Sequence, residues 1–590
     1  MPESSRRLKA STVHVMAPVL GLAILLASCA PAPVGRESAP QSAVPSVSRV
    51  VRIGMQAQAE PARGTDGPPS PAPYGGIRPA SSAGLEHFMT FHGALTKFDT
   101  ASQVIPHLAE KVPTLQDGDW VLLPNGGMEV TWKLRPNVLW HDGHPLTTDD
   151  FVFGFTVVRD PQIGVASRGE LPSITEVRAT DARTLVATWR TTSTLGNVSL
   201  SDGIPAIPRH IFGDLYAAGD SVAFENSPRW NAEWVGLGPY RLTDWVLGNQ
   251  MEGVAFDDYF LGRPKIDRLI IRYLGDVNAL IANILSGDLD VAPLGAQLDP
   301  AQMVVVRQAW GGDEGGTTLA IPKGVRSIYL QLRDPSAPWA HDVRVRQALL
   351  HAIDRQEIVD TLLFGVGGVP DYFGAPEEPA YRLALQRGVP RYPYDPARAE
   401  RLLAEAGWTR GADRLLRNGA GETATIDVMS SAQGSNVQEA ETVASQWIAA
   451  GFHSRATPYP PTAENSAEIR SKMPGALIWI YNFSFTVIRT FTSDEIPSER
   501  TRWRGANYAQ YSDRAFDNLY GELINTFDPG PRDEIMFQMV RILSEQLPAL
   551  PVFFSPHCLV SRKNLQGPGL ISALQPATSW NIHEWQLIDR

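Results

Sequence analysis

The sequence is poor in cysteine, in net positive charge and in long apolar segments. Its two cysteines among 590 residues, Cys29 and Cys558, are too few and too far apart for a disulfide framework. The 63 acidic residues outnumber the 52 basic ones, and the formal net charge of −11 argues against a nucleic-acid partner. No apolar run after Cys29 is long enough to cross a bilayer, so we expect no membrane-spanning helix there.

Motifs typical of catalytic and metal sites are also missing. The sequence has no Gly-x-Ser-x-Gly elbow, no Gly-x-x-x-x-Gly-Lys loop and no His-Glu-x-x-His helix. His141 and His144 are ligand-type residues at short spacing, but a chelate needs three or four convergent groups. His557 precedes Cys558, yet adjacent side chains on a strand point apart. We therefore expect no metal site, no cofactor and no catalytic activity.

The N-terminal segment has the pattern of a secretory signal. Three basic residues precede an apolar stretch over about 13–26, and small residues stand directly before Cys29. This pattern predicts a lipoprotein signal peptide over 1–28, with lipid attached to the Cys29 thiol. A tether rich in Pro, Ala and Ser follows over 29–48. We expect an extracytoplasmic protein anchored to the cell membrane by lipid on Cys29, in a periplasm or at a cell surface, with the export route left open.

Hydrophobic periodicity predicts short strands near the N-terminus. About 540 residues follow the tether. Because a single hydrophobic core does not hold so many residues, two or more lobes are expected. A strand is predicted over 49–55, and alternating apolar residues predict a half-buried strand over 128–140. Thr147 is expected to cap a helix from about residue 148, with Asp150 as its capping-box partner.

Helical spacing dominates the middle of the chain. Apolar residues over 342–363 have helical spacing, and Asp354 with Glu357 predicts that the helix breaks and restarts there. Asp395 and Pro396 predict the start of another helix, which Gly407 should end. Helices alternating with short strands indicate an α/β fold.

Five segments in a fixed order carry a resemblance to a known family. The most specific is Thr131-Trp-Lys-Leu-Arg followed by Trp140-His-Asp-Gly and Pro145-Leu-Thr-Thr-Asp-Asp. The others are Gly93–Leu95 with Pro106–Glu110, Gly236–Arg241 with Phe256–Pro264, Gly287–Asp290, and Val343–Arg355 with Tyr394–Gly407. The set covers roughly residues 50–590 and resembles family 5 of the extracellular solute-binding proteins, the oligopeptide-, dipeptide- and nickel-binding type of ABC importers.

The resemblance implies a two-lobed periplasmic-binding-protein-like fold, type II, cluster C, which closes on its ligand about a hinge. An extra domain is inserted in the first lobe. The implied layout is lobe I over 49–85, 200–310 and 550–590, the inserted domain over 86–199, and lobe II over 311–549.

The resemblance also points to the residues that would bind the solute. The stretch 475–485 holds alternating aromatic residues that could face the space between the lobes, although core packing is the competing explanation for each aromatic. Peptide binders of this family have an aspartate in this stretch for the α-amino group, and this chain has no acid between Gly475 and Thr492. The candidate ligand-binding residues are Trp479, Tyr481, Asn482, Phe483, Arg489, Asn507, Tyr508 and Tyr74.

The function that the resemblance implies is solute capture for import. The expected partners are a small solute, in the first place a peptide, and an ABC permease in the membrane, with the binding protein acting as a monomer. A receptor for a sugar, a chelate or an anionic solute stays open as the alternative, and so does a secreted hydrolase. Turnover of a bound candidate would separate the hydrolase from the binding proteins.

Overall fold

The computed structural model describes residues 49–56, 82–163, 171–200, 203–246, 248–432, 435–460, 466–483, 487–572, 574 and 577–588. The predicted signal peptide and tether, with Cys29, lie outside the described residues, as does Tyr74. Within the described ranges, no helix combines the length and the apolar character that crossing a bilayer requires.

Short strands and helices alternate along the chain, as the sequence predicts for an α/β fold. The strands are β1 (Val50–Gln56), β2 (Thr96–Phe98), β3 (Val104–Pro106), β4 (Trp120–Leu122), β5 (Met128–Lys133), β6 (Ile174–Ala179), β7 (Thr184–Trp189), β8 (Tyr240–Val246), β9 (Gln250–Ala255), β10 (Arg268–Leu274), β11 (Val291–Ala292), β12 (Gly316–Leu330), β13 (Thr409–Arg410), β14 (Leu416–Arg417), β15 (Thr425–Ser431), β16 (His453–Tyr459), β17 (Ala476–Asn482), β18 (Ala549–Arg562), β19 (Leu565–Gln566) and β20 (Gln586–Leu587). The α-helices are α1 (Ser82–Phe91), α2 (Thr148–Arg159), α3 (Arg209–Ala217), α4 (Ser221–Glu225), α5 (Val277–Ser286), α6 (Pro300–Ala309), α7 (Pro338–His341), α8 (Val343–His351), α9 (Arg355–Leu362), α10 (Pro379–Gln386), α11 (Pro396–Glu405), α12 (Asn436–Ala450), α13 (Ala467–Ser471), α14 (Arg514–Leu523) and α15 (Pro529–Gln546).

A mixed sheet of ten strands runs through the molecule in the order β16-β15-β17-β12-β18-β11-β1-β10-β9-β8. β1 pairs in parallel with β10 and β11, and β15 pairs in parallel with β16 and β17, while the other neighbours are antiparallel. The two central strands, β12 and β18, are 15 and 14 residues long, whereas β17 beside them has 7 residues and β11 has 2. They join the two halves of the sheet.

Separate hydrophobic cores lie on the two halves of this sheet. One core collects side chains from β1, β10 and β11 and from residues 109–189, and it includes Cys558 and Val560 of β18. Two further cores cover opposite faces of the other half, and they include Leu550 and Phe554 of the same strand. The core with Cys558 defines the first lobe and the other two define the second lobe. Burial of each large apolar side chain contributes roughly 1.5–3 kcal/mol, so each lobe has its own source of stability.

A second sheet belongs to the segment predicted as an inserted domain. Its four strands have the order β4-β5-β7-β6 and are antiparallel throughout. The predicted start of this segment, residue 86, falls inside helix α1. The domain over 86–199 stays a proposal, and so do the lobe boundaries predicted from the sequence.

The local signals of the sequence are confirmed where they are caps and turns. The Thr147 amide donates to the Asp150 carboxylate at 2.9 Å, and α2 begins at the next residue. Asp354 accepts from the Glu357 amide at 2.9 Å, and α9 begins there. Gly407 follows α11 with a φ of 85°, the left-handed conformation that ends a helix.

The strand predicted over 128–140 is too long. β5 ends at Lys133, and Leu139 forms only an isolated bridge with Pro145. Pro136 explains the early end, because it has no amide hydrogen to donate and its ring fixes φ.

Candidate functional site

The two long strands β12 and β18 carry the chain between the lobes. The start of β12, Gly316–Thr318, pairs with Val560–Arg562, and Val560 and Ser561 also pair with β11 of the first lobe. The end of β12, Gly324–Leu330, pairs with β17 of the second lobe. We therefore propose that the chain changes lobe within these strands, at 321–324 and 555–557, rather than at 310/311 and 549/550.

The hydrogen-bond ladder is interrupted at this crossing. Pro322 of β12 lies opposite Pro556 of β18, and neither residue has an amide hydrogen. A register shift follows directly, so that Gly324 lies opposite Ser555 and Lys323 is the extra residue of a β-bulge. Bending at this point breaks few backbone hydrogen bonds, so the crossing is suited to act as a hinge.

Lys323 is held among polar groups at the crossing. Its ammonium donates to the Ser572 carbonyl at 2.8 Å, and its own carbonyl accepts from the Phe483 amide at 2.8 Å. Burial lowers the pKa of Lys323 to about 7, with the Glu86 carboxylate acting in the opposite direction. Burial and the neighbouring Lys323 lower the pKa of His557 on β18 to about 4. The hinge therefore contains groups that titrate far from their ordinary values.

The alternating aromatics of β17 face one core of the second lobe. Tyr481 is 3% exposed, and its ring stacks on Phe491 with the centroids 5.6 Å apart. Tyr481 is thus a core residue, which was the competing explanation for it. Trp479 lies on the same face and is only half-buried. Of the two rings, Trp479 is the one with surface available to a ligand.

Trp479, Tyr508 and Arg470 form an aromatic–cation cluster. The Trp479 and Tyr508 rings meet edge to face with centroids 5.8 Å apart. The guanidinium carbon of Arg470 lies 4.4 Å from the Trp479 centroid and 5.1 Å from the Tyr508 centroid. Such contacts contribute roughly 0.5–2 kcal/mol each and are strongest when the cation is desolvated, as Arg470 is at 7% exposure. Trp479 and Tyr508 were predicted from the sequence, whereas Arg470 was missed.

Asn482 and Phe483 occupy the end of β17 that lies against the hinge. Asn482 is exposed and pairs with Gly324 across the ladder. The Phe483 ring is 6.3 Å from that of Phe554 on β18. Trp479 and Asn482 thus lie on β17 with their side chains on opposite faces, and Phe483 follows directly after the strand, beside the crossing between the lobes.

Arg489 is an exposed residue of the same lobe. Its guanidinium pairs with Glu495 at 2.8 Å, and its side chain is 53% exposed. It lines an open groove of about 450 Å³, together with Asp494, Glu495, Arg500, Thr501, Arg502, Arg504 and Gly505. Four arginines and two acidic residues give this groove a net positive charge.

Asn507 is an internal residue of its loop. It is fully buried, and its side-chain amide donates to the carbonyls of Thr492 and Tyr511 at 2.9 and 2.8 Å. Its oxygen accepts from the Tyr511 amide at 3.0 Å. These bonds hold the loop that presents Tyr508, so the position of Asn507 favours a structural role over direct ligand contact.

The structure gives His141 and Cys558, which could bind a metal or act as a nucleophile, structural surroundings. The ring nitrogens of His141, which is buried, contact the Gly238 carbonyl at 2.9 Å and the Gly236 amide at 3.2 Å. Burial raises the pKa of the Cys558 thiol to about 12, with Asp299 adding to the shift. A thiol held protonated in this way is a poor nucleophile.

The two lobes also touch away from the hinge. The Trp120 ring of β4 meets the Phe527 ring edge to face, with centroids 5.1 Å apart. Thr192 hydrogen-bonds to Asn525 beside this ring pair. The contact joins the segment predicted as the inserted domain to the loop between α14 and α15 of the second lobe.

Comparison with known proteins identifies relatives along nearly the whole chain. The profile of the bacterial extracellular solute-binding proteins, family 5 Middle, matches residues 103–492. The oligopeptide-binding protein AppA of Bacillus subtilis is 26% identical over 525 residues, which cover 86% of this chain and 88% of that protein.

Solved structures show the same fold. The oligopeptide-binding protein of Thermus thermophilus, complexed with a pentapeptide, is similar with a TM-score of 0.68 and 22% identity, over 91% of this chain and 96% of that one. NikZ of Campylobacter jejuni, in complex with Ni(L-His), has a TM-score of 0.68 and 22% identity, over 91% of this chain and 99% of that one. These likenesses confirm the predicted two-lobed α/β fold, and the profile match shows that the chain belongs to family 5 of the bacterial extracellular solute-binding proteins.

Proposed function

We propose that the chain is the solute-capturing component of an ABC importer and that it takes up peptides between its two lobes. The observation that carries this proposal is the pair of strands β12 and β18, which cross between the lobes. At the crossing Pro322 lies opposite Pro556, and neither residue has an amide hydrogen to donate. A clamp of this kind closes on a ligand with few changes of backbone dihedral angles. Relatives named as oligopeptide-binding proteins, AppA among them, support a peptide as the solute. The partner is an ABC permease, and the chain acts as a monomer.

We further propose that the solute contacts Trp479 of β17 and Phe483 directly after it, which lie on the same face, with Arg470 and Tyr508 supporting the Trp479 ring. Aromatic faces bind side chains of varied chemistry, which suits a receptor for many peptides. The guanidinium of Arg470 fixes the ring and adds positive charge, which favours a carboxylate on the ligand.

An anionic solute is the second candidate, and specific features favour it. The stretch 475–492 has no carboxylate to pair with a peptide's ammonium group, and a buried ammonium requires such a partner. The groove at Arg489 has a net positive charge. A ligand with a free carboxylate or phosphate, with or without an amine, fits this distribution of charge.

Thermal unfolding of the purified full-length protein distinguishes these solutes. The ligands are short peptides, the same peptides with an acetylated amine or an amidated carboxylate, and sugars, metal chelates and phosphorylated compounds. A ligand at 100 times its Kd adds about 2.7 kcal/mol of stability. A saturable shift with free and acetylated peptides supports peptide capture without amine recognition. A shift confined to non-peptide anions replaces the peptide proposal, and consumption of a candidate without a shift supports the hydrolase.

Trp479→Ala tests the proposed site, with Trp245→Ala as the matched control. Trp245 is also half-buried but lies on β8 at the far edge of the first lobe's sheet. We expect Trp479→Ala to weaken solute binding by at least tenfold in calorimetric titration, because it removes the exposed ring of the cluster. Trp245→Ala should leave the Kd unchanged. Equal Kd values for Trp479→Ala and the unmodified protein would contradict the assignment.

We propose that lipid on Cys29 anchors the protein outside the cytoplasm. The support is the sequence Leu26-Ala27-Ser28-Cys29 after an apolar segment. Cys29→Ser should abolish incorporation of a palmitate analogue and move the protein from the membrane fraction to the soluble fraction. Cys558→Ala is the control and should retain both the label and the membrane association.

A further inference from the structure

Asp142, His144 and His210 bring their polar atoms together on the surface of the first lobe. The His210 Nε2 lies 2.7 Å from one carboxylate oxygen of Asp142, and the His144 Nδ1 lies 3.3 Å from the other. One ligand-type atom of each residue lies within 4.8 Å of the others. The two imidazole rings stack with centroids 4.1 Å apart. The single carboxylate of Asp142 therefore contacts both imidazole rings, one through each oxygen.

The chain assembles this cluster from two distant segments. Asp142 and His144 flank Gly143, whose φ of 89° makes the tight turn that projects both side chains from one place. His210 is the second residue of α3 and follows Asp142 by 68 residues. The Trp140 ring, fully buried, meets the His210 ring at 6.2 Å and positions it.

The ligand set is one that divalent transition ions prefer. Two imidazoles and a carboxylate, with water in the remaining position, form a common three-residue Zn²⁺ site. Ligand atoms at about 2.1 Å from a tetrahedral ion are roughly 3.4 Å from one another. The His144–Asp142 distance of 3.3 Å is close to this value, and the His144 side chain is 59% exposed. The His210–Asp142 distance of 2.7 Å is shorter, so these two side chains must move apart to share one ion.

The surroundings of the cluster favour a cation. An open hollow of about 660 Å³ adjoins His144 and His210, and Asp149, Asp150 and Asp214 contribute to its lining. Arg209 also lines it but pairs with Asp149 at 3.0 Å. The field at the cluster is therefore negative, which raises the local concentration of cations.

We propose that Asp142, His144 and His210 bind one divalent transition-metal ion on the surface of the first lobe, apart from the solute site. From the sequence no metal site was expected, because His141 and His144 lacked further convergent groups; the fold uses His141 internally and brings Asp142 and His210 to His144. Bound there, the ion ties the turn after Trp140 to helix α3. The site does not depend on the function proposed above.

Titration of Zn²⁺ into the full-length protein, purified without a histidine tag, tests the site. We expect one equivalent to bind to the unmodified protein and to raise its melting temperature. His144→Ala should weaken this binding at least tenfold, because only two ligands remain. His453→Ala removes an exposed histidine of the second lobe and should bind as the unmodified protein does.

Cobalt provides a second measurement that misfolding cannot imitate. The d–d absorption of bound Co²⁺ should be intense, as expected for a four-coordinate site, and should disappear in His144→Ala but persist in Trp479→Ala. Circular dichroism of His144→Ala should match that of the unmodified protein. The proposal is overturned if no ion binds, or if Zn²⁺ binds His144→Ala with the affinity of the unmodified protein.

Discussion

The buried pair Arg326–Glu439 shows how a single residue sets the stability of the second lobe. The Arg326 guanidinium on β12 donates to the Glu439 carboxylate on α12 at 2.9 Å, and their side chains are 14% and 4% exposed. Burial raises the pKa of Glu439, while Arg326 opposes the shift. The pair therefore ties a helix to one of the strands that forms the hinge.

Loss of one partner should cost more than loss of both. We expect Arg326→Met to lower the free energy of unfolding by about 3–5 kcal/mol at neutral pH, because Glu439 keeps a buried, unpaired charge. The cost should shrink as the pH falls, since a carboxyl with a raised folded-state pKa gains protons on folding. Urea unfolding of Arg326→Met and of Arg326→Met with Glu439→Met measures this. A double variant less stable than the single one would contradict the expectation.

At the residue scale, the sequence predicts caps well and contacts poorly. The cap formed by Asp354 and Glu357 is recognised because its two residues lie only three positions apart in the sequence. Arg470 is missed because its partners Trp479 and Tyr508 are brought to it by the sheet and a distant loop. Tyr481 and Asn507 look like site residues in sequence, since nothing local tells a buried polar ring or amide from an exposed one.

At the scale of elements, the β-bulge in β12 is the feature on which the proposed closure depends. A Cβ on Gly324 would lie 2.5 Å from the Tyr481 carbonyl oxygen of the neighbouring strand. Gly324→Ala must therefore move β17 or β12, and we expect a loss of about 1–3 kcal/mol in the free energy of unfolding, measured with urea. Gly521→Ala in α14, where no atom lies within 4 Å of the added carbon, is the control and should be neutral or stabilising by about 0.5–1 kcal/mol. Equal effects of the two substitutions would show that the bulge accommodates a Cβ at residue 324 without displacing a strand.

The buried lysine of the hinge predicts a pH dependence. Lys323 has a folded-state pKa of about 7 against 10.5 for an ordinary lysine. Between these values the unfolded chain binds more protons than the folded one, so stability rises with pH across that window. Burial causes this shift and the Glu86 carboxylate opposes it, while the charge of Lys323 adds to the lowering of the His557 pKa.

Lys323→Met should remove this dependence. We expect the urea midpoint of the unmodified protein, relative to that of Lys323→Met, to increase from pH 7 to pH 10. Parallel midpoints for the two proteins over that range would mean that Lys323 keeps its ordinary pKa. The sequence shows Pro322, Lys323 and Gly324 together, but only the pairing with Pro556 and Ser555 identifies them as the crossing.

At the scale of the whole molecule, contacts at the hinge and away from it hold the lobes together. The Trp120–Phe527 ring pair lies between the lobes, where an aromatic pair contributes about 0.5–1.5 kcal/mol. Phe527→Ala should speed solute release by roughly two- to tenfold in stopped-flow measurements, because the closed form loses this contact. Tyr394→Ala, which removes an exposed ring of the second lobe, is the control and should leave the rate unchanged. Unaltered release from Phe527→Ala would show that the contact does not stabilise the bound state.

The overall architecture was predictable because the segments of the family signature are spread along the chain from Gly93 to Gly407. The solute was not, because it depends on a few side chains whose neighbours come from other segments. The lobe boundaries that we propose lie about ten residues later than the predicted ones in β12 and about six later in β18, since a strand shared by two cores has no composition change at the crossing.

Hydrogen exchange with and without a bound peptide tests capture between the lobes most directly. We expect a peptide to protect backbone amides of both lobes at once, in β17 and the residues that follow it and in facing segments of the first lobe. The amides at the crossing, those of residues 321, 323, 324, 555 and 557, should be protected with them. Protection confined to one lobe, with no change at the crossing, would contradict capture between the lobes.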